Sequence, residues 1–477
     1  MFSSTSVIEL ILPIGFTLLL GLAVFKFILS RSLFVKKEPA NIPHGSMGWP
    51  FIGETLGYLK PHHSNSIGSF LQDRCSRYGN IFKSHLFGTP TIVSCDLELN
   101  TFILQNEEKF FKVYYPKPVK DILGKFSMII VSGEEHKKLR SVAVNFITIS
   151  KSSLDFLGYV EKLAIKVMEP WKNQREVFFF QEAKQFTLHL MLKNLLNMEP
   201  GDPLASKILQ DFLTFMKGFI SIPINLPGTS FAKAFKARMR ISSTLRDIIR
   251  ERRGRNKLGV SKEDFLDSIM KNEELNDDEK ISVLLDILLA GYETTSGLMA
   301  LILYFLAHSP SALQQLKEEH LEVRGCKKDS ELLNLEDYKK MEFTSHVISE
   351  ALRCGNLVKF VHRKAIKDVK FKEFVIPEGW QVLPVFSAPH LNPSLHENPS
   401  EFNPWRWNDA ATSKKVTMFG GGVRLCPGAE LGRVETAFFL HHLVLKYRWK
   451  IKEDECPISY PFVEFKRSMV LEMEPIG

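Results

Sequence analysis

One ten-residue loop constrains this chain more than any other stretch: Phe419-Gly-Gly-Gly-Val-Arg424-Leu-Cys426-Pro-Gly428. Three successive glycines, Gly420 among them, let a backbone take positive φ and come close to a flat ligand. Pro427 cannot donate a hydrogen bond, and Gly428 again has no side chain. Residues 429–445 (AELGRVETAFFLHHLVL) read as an apolar helix. Cys426 therefore stands just ahead of a helix N-terminus, where the positive dipole end and free amides favour a thiolate. Arg424, two residues earlier, suits a carboxylate on a bound group. A short Gly-Cys pair is ordinarily a structural cysteine in a turn, but the full spacing F-x-x-G-x-R-x-C-x-G is far more specific.

Three further segments carry polar residues at helical spacing. Glu350-Ala-Leu-Arg353 places a carboxylate and a guanidinium on one helix face, ordinarily a surface ion pair. Ala290-Gly291-Tyr292-Glu293-Thr294-Thr295 falls inside a helix predicted from about Asp278 to His308. Gly291 and the two threonines weaken that helix, because Thr can bond the carbonyl one turn back. Gly133-Glu-Glu-His136-Lys-Lys-Leu-Arg140 puts His136 and Arg140 one turn apart on a shared face.

In this order, across residues 133–428, the segments resemble the cytochromes P-450, the haem-thiolate monooxygenases. The loop matches their signature, which implies Cys426 as the axial ligand of the iron in haem b (iron protoporphyrin IX). Phe419, Gly420, Arg424 and Gly428 are then implied as cofactor-binding residues. Met418 departs from the Pro that many members have before the Phe. A thiolate ligand favours cleavage of the O–O bond. The A/G-G-x-D/E-T segment implies that Ala290 and Gly291 open the helix for dioxygen. It also implies that Thr294 and Glu293 are catalytic, in oxygen handling and proton relay. Their presence favours a monooxygenase over the family's peroxide isomerases. Where the family usually has Trp-x-x-x-Arg, this chain has His136 and Arg140; Arg140 is implied to meet a haem propionate, with His136 still offering an N–H. Arg363 is implied as a further propionate partner. The family's E-x-x-R pair binds a downstream Arg, matched here by Arg406 in Phe402-Asn-Pro-Trp-Arg406-Trp407. Glu350, Arg353 and Arg406 are thus read as structural support.

The resemblance implies a mainly α fold with small β-sheets (α+β), the cytochrome P450 fold, behind an N-terminal transmembrane helix. Patterning agrees with it. Helix-period stretches dominate from Ser66 to about Met341, residues 80–97 alternate around Gly-Thr-Pro as in a hairpin, and residues 358–385 read as short strands with a turn at IPEG. Leu10 to Phe25 carries no charge, and the run to Leu29 is broken only by Lys26, enough to span a bilayer. Glu9 precedes it, and Lys26, Arg31, Lys36 and Lys37 follow, which puts the body on the cytoplasmic side. The lack of a basic n-region disfavours a cleaved signal peptide. Pro39, Pro43 and Pro50 stiffen the next segment. The expected organisation is an anchor at 1–30, a basic, proline-rich hinge at 31–54 and a catalytic domain at 55–477, held single-pass in the endoplasmic reticulum membrane.

Composition narrows the rest. The chain of 477 residues has 62 Lys+Arg against 54 Asp+Glu, a net +8, without a recognised nucleic-acid module, so no nucleic-acid partner is expected. Lys137, Lys138, Lys414, Lys415 and Arg433 form a candidate docking patch for the acidic face of NADPH–cytochrome P450 reductase, the electron donor that the resemblance implies. Six cysteines without a CxxC pair argue against a disulfide scaffold or a zinc ribbon. The 37 Phe against 10 Tyr leave two readings open, a large core or a cavity for an apolar ligand. Segments such as residues 121–146 and 428–449 look like the plant microsomal members that hydroxylate sterols and triterpenoids, closest to brassinosteroid-biosynthesis C-22 hydroxylases. That likeness implies side-chain hydroxylation of a sterol with dioxygen. The alternatives are a triterpenoid or a later brassinosteroid intermediate as substrate, and a non-catalytic haem protein that binds apolar ligands. Phe126, Met128, Phe215, Phe219, Leu289, Val358, Phe360 and Met469 are the candidate walls of the substrate pocket. The apolar loop 219–227 is expected to dip into membrane lipid.

Overall fold

An asparagine followed by three acidic residues starts the longest helix. The Asn276 side chain accepts from the Glu279 amide at 3.0 Å, and the Glu279 carboxylate accepts from the Asn276 amide at 2.8 Å. Asp277, Asp278 and Glu279 complement the positive helix end. In the computed structural model this helix runs unbroken from Asp277 to Ala307. It is long and apolar enough to cross a membrane, yet most of it is buried within the fold. Helices Gly133–Ser152, Phe179–Leu196, Glu342–Gly355 and Ala429–Lys446 pack around it, which makes it the core helix of the body.

The structure describes Gly21 and residues 41–476, except residues 51, 220, 222, 257–263, 329, 453–454 and 460–461. The anchor expected at 1–30 lies outside the described residues apart from Gly21, as does the hinge up to residue 40. Described residues of the hinge run along the first long strand. The Lys83 amide donates to His44 O at 3.0 Å, the Glu54 amide to His85 O at 2.9 Å, and Ser84 Oγ to Glu54 Oε2 at 2.6 Å.

The alternating stretch forms a hairpin, Ile81–Leu86 paired antiparallel with Thr89–Ser94 around Phe87-Gly88. Thr89–Ser94 then pairs in parallel with Gln381–Pro384, and Arg363–Ala365 and Phe111–Val113 complete a five-stranded sheet. Leu86, Ile92, Val93, Phe111, Val382 and Leu383 are buried along it. Sheet and helices meet beside the core helix, which brings Arg363 next to the cysteine loop.

Two expectations change here. Gly291 and the threonines do not open the core helix. Thr294 Oγ1 donates to Ala290 O at 2.6 Å and Ser296 Oγ to Tyr292 O at 2.7 Å, so the hydroxyls satisfy themselves one turn back while the backbone stays helical. The phenylalanines belong mainly to the core rather than to a cavity. Phe82, Phe111, Phe179, Phe186, Phe212, Phe215, Phe438 and Phe439 are fully buried, and edge-on contacts such as Phe179–Phe439 at 6.0 Å knit helix to helix.

Candidate active site

A cavity of about 380 Å³ lies between the core helix and the cysteine loop. Ala290, Gly291 and Thr294 line it from the helix; Phe419, Gly420, Arg424, Cys426 and Gly428 line it from the loop. Exposure along the core helix rises at Ala290, where it faces this space, although most of the helix is buried. The loop holds its shape through a Cys426 amide bond to Phe419 O at 3.0 Å and through positive φ at two of its three successive glycines, Gly420 (+74°) and Gly422 (+62°). A Cβ on Gly422 would stand 2.0 Å from Leu104 O, whereas one on Gly421 would meet only the Leu104 side chain at 3.4 Å. Gly422→Ala should therefore cost about 1–2 kcal/mol in left-handed backbone alone, plus the clash. Gly421→Ala should cost under about 1 kcal/mol. Urea midpoints of the two variants check this contrast.

Cys426 is accessible from the cavity it lines, yet it is set within protein. Burial pushes its thiol up, while the amides of Gly428 and Ala429 and the Arg140 charge pull it down. Burial is the larger effect, so the expected thiolate needs a cation at the sulfur, which a metal supplies. Arg140 donates to Leu425 O and holds the loop from the Gly133–Ser152 helix. His136, on the same helix, is buried; burial and the charges of Arg424 and Arg140 lower it to about 4, so its ring is neutral.

Arg363 and Arg424 share a partner that sequence reading missed. Arg363 Nε lies 3.0 Å from Glu107 Oε2, and Arg424 Nε donates to Glu107 Oε1. Arg424 also donates to Met128 O at 2.8 Å and to Val131 O. Arg140, Arg363 and Arg424 thus bring three guanidiniums to one cavity, with one carboxylate between two of them. One carboxylate does not balance three guanidiniums, and the positive charge that remains suits the propionates of haem b. The donor set, the side-chain-free Gly420 and Gly428 and the thiol fit that group.

Glu293 stands outside the lining. It faces the Phe179–Leu196 helix, where Lys184 Nζ lies 3.5 Å from its Oε1. Burial raises the Glu293 carboxyl and Lys184 opposes it. Lys184 carries no local sequence signal. Another acid went unnoticed: Asp286, on the cavity wall, accepts Ser127 Oγ and the Met128 amide at 2.7 Å each, and burial pushes it up to about 7.

Of the candidate pocket walls, Met128 and Val358 line the cavity. Phe215 and Met469 are buried in the core, Leu289 and Phe219 pack against it, and half-buried Phe126 sits under Lys125. These side chains point at neighbouring elements rather than into the opening; Phe146 and Phe386 supply aromatic wall instead. Phe360 lines a separate crevice against Tyr58. In the candidate basic patch, Lys137 and Lys138 pair with Glu134 and Glu279, and Arg433 turns inward to Ser349 Oγ at 3.0 Å and the Phe419 ring.

Glu350, Arg353 and Arg406 meet behind the loop. Arg353 donates to Glu350 from Nε at 2.9 Å and from Nη2 at 2.7 Å, and Arg406 Nε lies 3.3 Å from Glu350 Oε1. Trp407 Nε1 adds a bond at 2.9 Å.

Residues 43–472 match the family model for cytochrome P450. A protein of Oryza sativa subsp. japonica, cytochrome P450 724B1, is 53% identical over 98% of each chain. The cholesterol 22-monohydroxylase CYP90B52 of Paris polyphylla is 43% identical, covering 97% of this chain and 99% of its own. The solved structure of retinoic-acid-bound cyanobacterial CYP120A1 superposes with a TM-score of 0.79 at 25% identity, over 91% of this chain and 99% of that one.

Proposed function

This chain belongs to the cytochrome P450 family, and from that premise we propose that it hydroxylates a sterol side chain at C-22 in brassinosteroid biosynthesis. It is a haem-dependent monooxygenase that draws electrons from NADPH through a reductase. The observation that carries the reading is one largely apolar cavity with Cys426 on one wall and Thr294 on the other. The 22-hydroxylase relative directs the choice of substrate and carbon. We place the body on the cytoplasmic face of the endoplasmic reticulum, on the strength of the Leu10–Leu29 run and the cations after it.

When bound, the haem supplies oxygen activation that no side chain can perform. The protein supplies the surroundings. Cys426 would offer the sulfur ligand, and Arg140, Arg363 and Arg424 would hold the propionates. Ile287, Leu298, Val358, Val361 and Phe386 exclude water and orient an apolar ring system. Glu293, its carboxyl raised by burial, stands behind the wall, and the Thr294 hydroxyl stands inside it. Thr294→Ala should leave the haem spectrum intact and NADPH consumption running, while product formed per NADPH falls by about 10²-fold, the low end of proton-delivery effects. Product and NADPH assays on one sample measure that ratio.

The test of function uses the full-length protein with reductase and NADPH. Campesterol-type sterols and triterpenes are screened by substrate-induced spectral shifts, and products are identified by mass spectrometry and NMR. A 22-hydroxysterol is expected. Oxidation of triterpenes alone, oxidation at another carbon, or NADPH consumption with no oxidised product would each sink the proposal.

A further inference from the structure

Two cavities share one wall. In residues 357–361, Leu357, Val358 and Val361 face the central cavity, while Lys359 and Phe360 face a second crevice. In residues 385–387, Phe386 faces the central cavity, while Val385 and Ser387 face the crevice. The two segments are stitched together by a Phe360–Val385 bridge and a Phe386 amide bond to Lys359 O at 2.7 Å. Tyr58, Phe70 and Leu71 form the apolar far side of the crevice.

Its polar end is incomplete. Lys359 Nζ donates to His62 Nε2 at 2.5 Å and to Ser66 O at 3.2 Å. His62 Nδ1 lies 3.1 Å from Lys60 O and must carry its N–H there, which leaves Nε2 as a bare acceptor. Two of three ammonium donors are used, and among the described residues no carboxylate pairs with Lys359. Ser387 is fully buried, lines the crevice, and its Oγ has no hydrogen-bond partner. A half-buried cation without a counter-charge and a buried orphan hydroxyl are both costly unless a ligand completes them. Burial lowers Lys359 to about 7. The ionisable groups around it are His62, itself lowered by burial and by Lys359, then His63, Lys60 and Tyr58, whose hydroxyl burial keeps protonated.

The crevice encloses about 90 Å³, room for roughly six to nine water-sized groups. It adjoins an open groove across Gly57 and Phe70, where Trp49, Ile52 and Leu56 are exposed by 80%, 56% and 74%. We propose that this is a second ligand site, for a long-chain anionic amphiphile. Its carboxylate or phosphate sits on Lys359 and Ser387, and its chain passes over Phe70 onto Leu56, Ile52 and Trp49.

Titration calorimetry on the haem-loaded, full-length protein in phosphatidylcholine nanodiscs tests it, with octanoate, dihexanoyl phosphatidate and octanol as probes. Saturable binding of an anionic probe is expected, with octanol and the Lys359→Met variant each about tenfold weaker. Tighter octanoate would identify a free fatty acid as the source, and tighter phosphatidate a lipid headgroup. Affinity should fall as pH rises through 7 and Lys359 loses its proton; Lys359→Arg should hold its affinity there, a readout that stands even where Lys359→Met folds poorly. Equal binding by Lys359→Met with a normal CO-bound spectrum, octanol binding as tightly as octanoate, a Lys359→Arg pH profile like the wild type, or no saturable binding would each overturn the proposal.

Discussion

Cys426→Ser is expected to abolish the thiolate-type absorption of the reduced, CO-bound protein and to bring hydroxylation down to background. The exchange is nearly isosteric, so the loop keeps its geometry. The Cys426 amide still reaches Phe419 O, and the amides of Gly428 and Ala429 still face the side chain. Only the sulfur is lost. A serine hydroxyl ionises far less readily than a thiol and is a poor match for the soft, electron-donating role of a haem thiolate. The matched control is Cys326→Ser, at an exposed thiol on the rim of the fold, which should leave spectrum and turnover unchanged. A Cys426→Ser protein that retains the thiolate band, or a Cys326→Ser protein that loses it, would show that the ligand has been misassigned.

How far the site could be read from sequence depends on how far its parts are separated along the chain. The cysteine loop was legible because its chemistry lies within ten residues. The hairpin at 81–94 was legible from period-two alternation, and the core helix, expected from about Asp278 to His308, was legible to within a residue at each end. The partners that tune the site were not. Glu107 reaches Arg424 across 317 residues, and Lys184 reaches Glu293 across 109; neither stretch carries a pattern that announces its partner. Composition failed for a different reason. A count of phenylalanines says how much apolar ring there is, not which way it faces. Phe360 lies in a segment that lines the cavity, and Phe215 and Phe219 in one expected to line it, yet all three pack elsewhere, because side-chain direction is set by the neighbouring element.

Glu350→Gln is expected to destabilise the protein by about 3–5 kcal/mol, the usual cost of breaking a buried ion pair from one side. Against a total stability of roughly 5–15 kcal/mol, that leaves little folded protein at working temperature. Both Glu350 and Arg353 are fully buried. Oε1 accepts from Arg353 and from the Asn403 amide at 3.0 Å and meets Arg406; Oε2 accepts from Arg353 and Trp407. A glutamine keeps one acceptor oxygen, but it points an NH₂ group at donors and leaves two guanidiniums without a counter-charge. The damage should reach the cysteine loop by a definite route. Arg353 Nη1 donates to His390 O at 2.7 Å, and His390 Nε2 accepts the Thr417 amide at 3.0 Å, two residues before Phe419. Burial and the Arg353 charge lower His390 to about 3, so it stays a neutral acceptor at any working pH. Arg353→Lys should therefore also fail, because an ammonium cannot span Glu350, His390 O and Pro399 O at once. The pH dependence has a fixed sign. Burial pushes the Glu350 carboxyl up, but the bonds and charges of Arg353, the Asn403 amide and Arg406 outweigh it, so its folded pKa is lowered. The cluster's contribution is complete above the unfolded value near 4.5 and is lost as pH falls through the folded one. Wild-type protein should lose haem and unfold in that acid window, with Glu350→Gln already destabilised at neutral pH and less steep across the window. Thermal melts and CO-bound spectra recorded against pH measure both, and a Glu350→Gln variant with wild-type stability and a full thiolate band would remove the cluster from its supporting role.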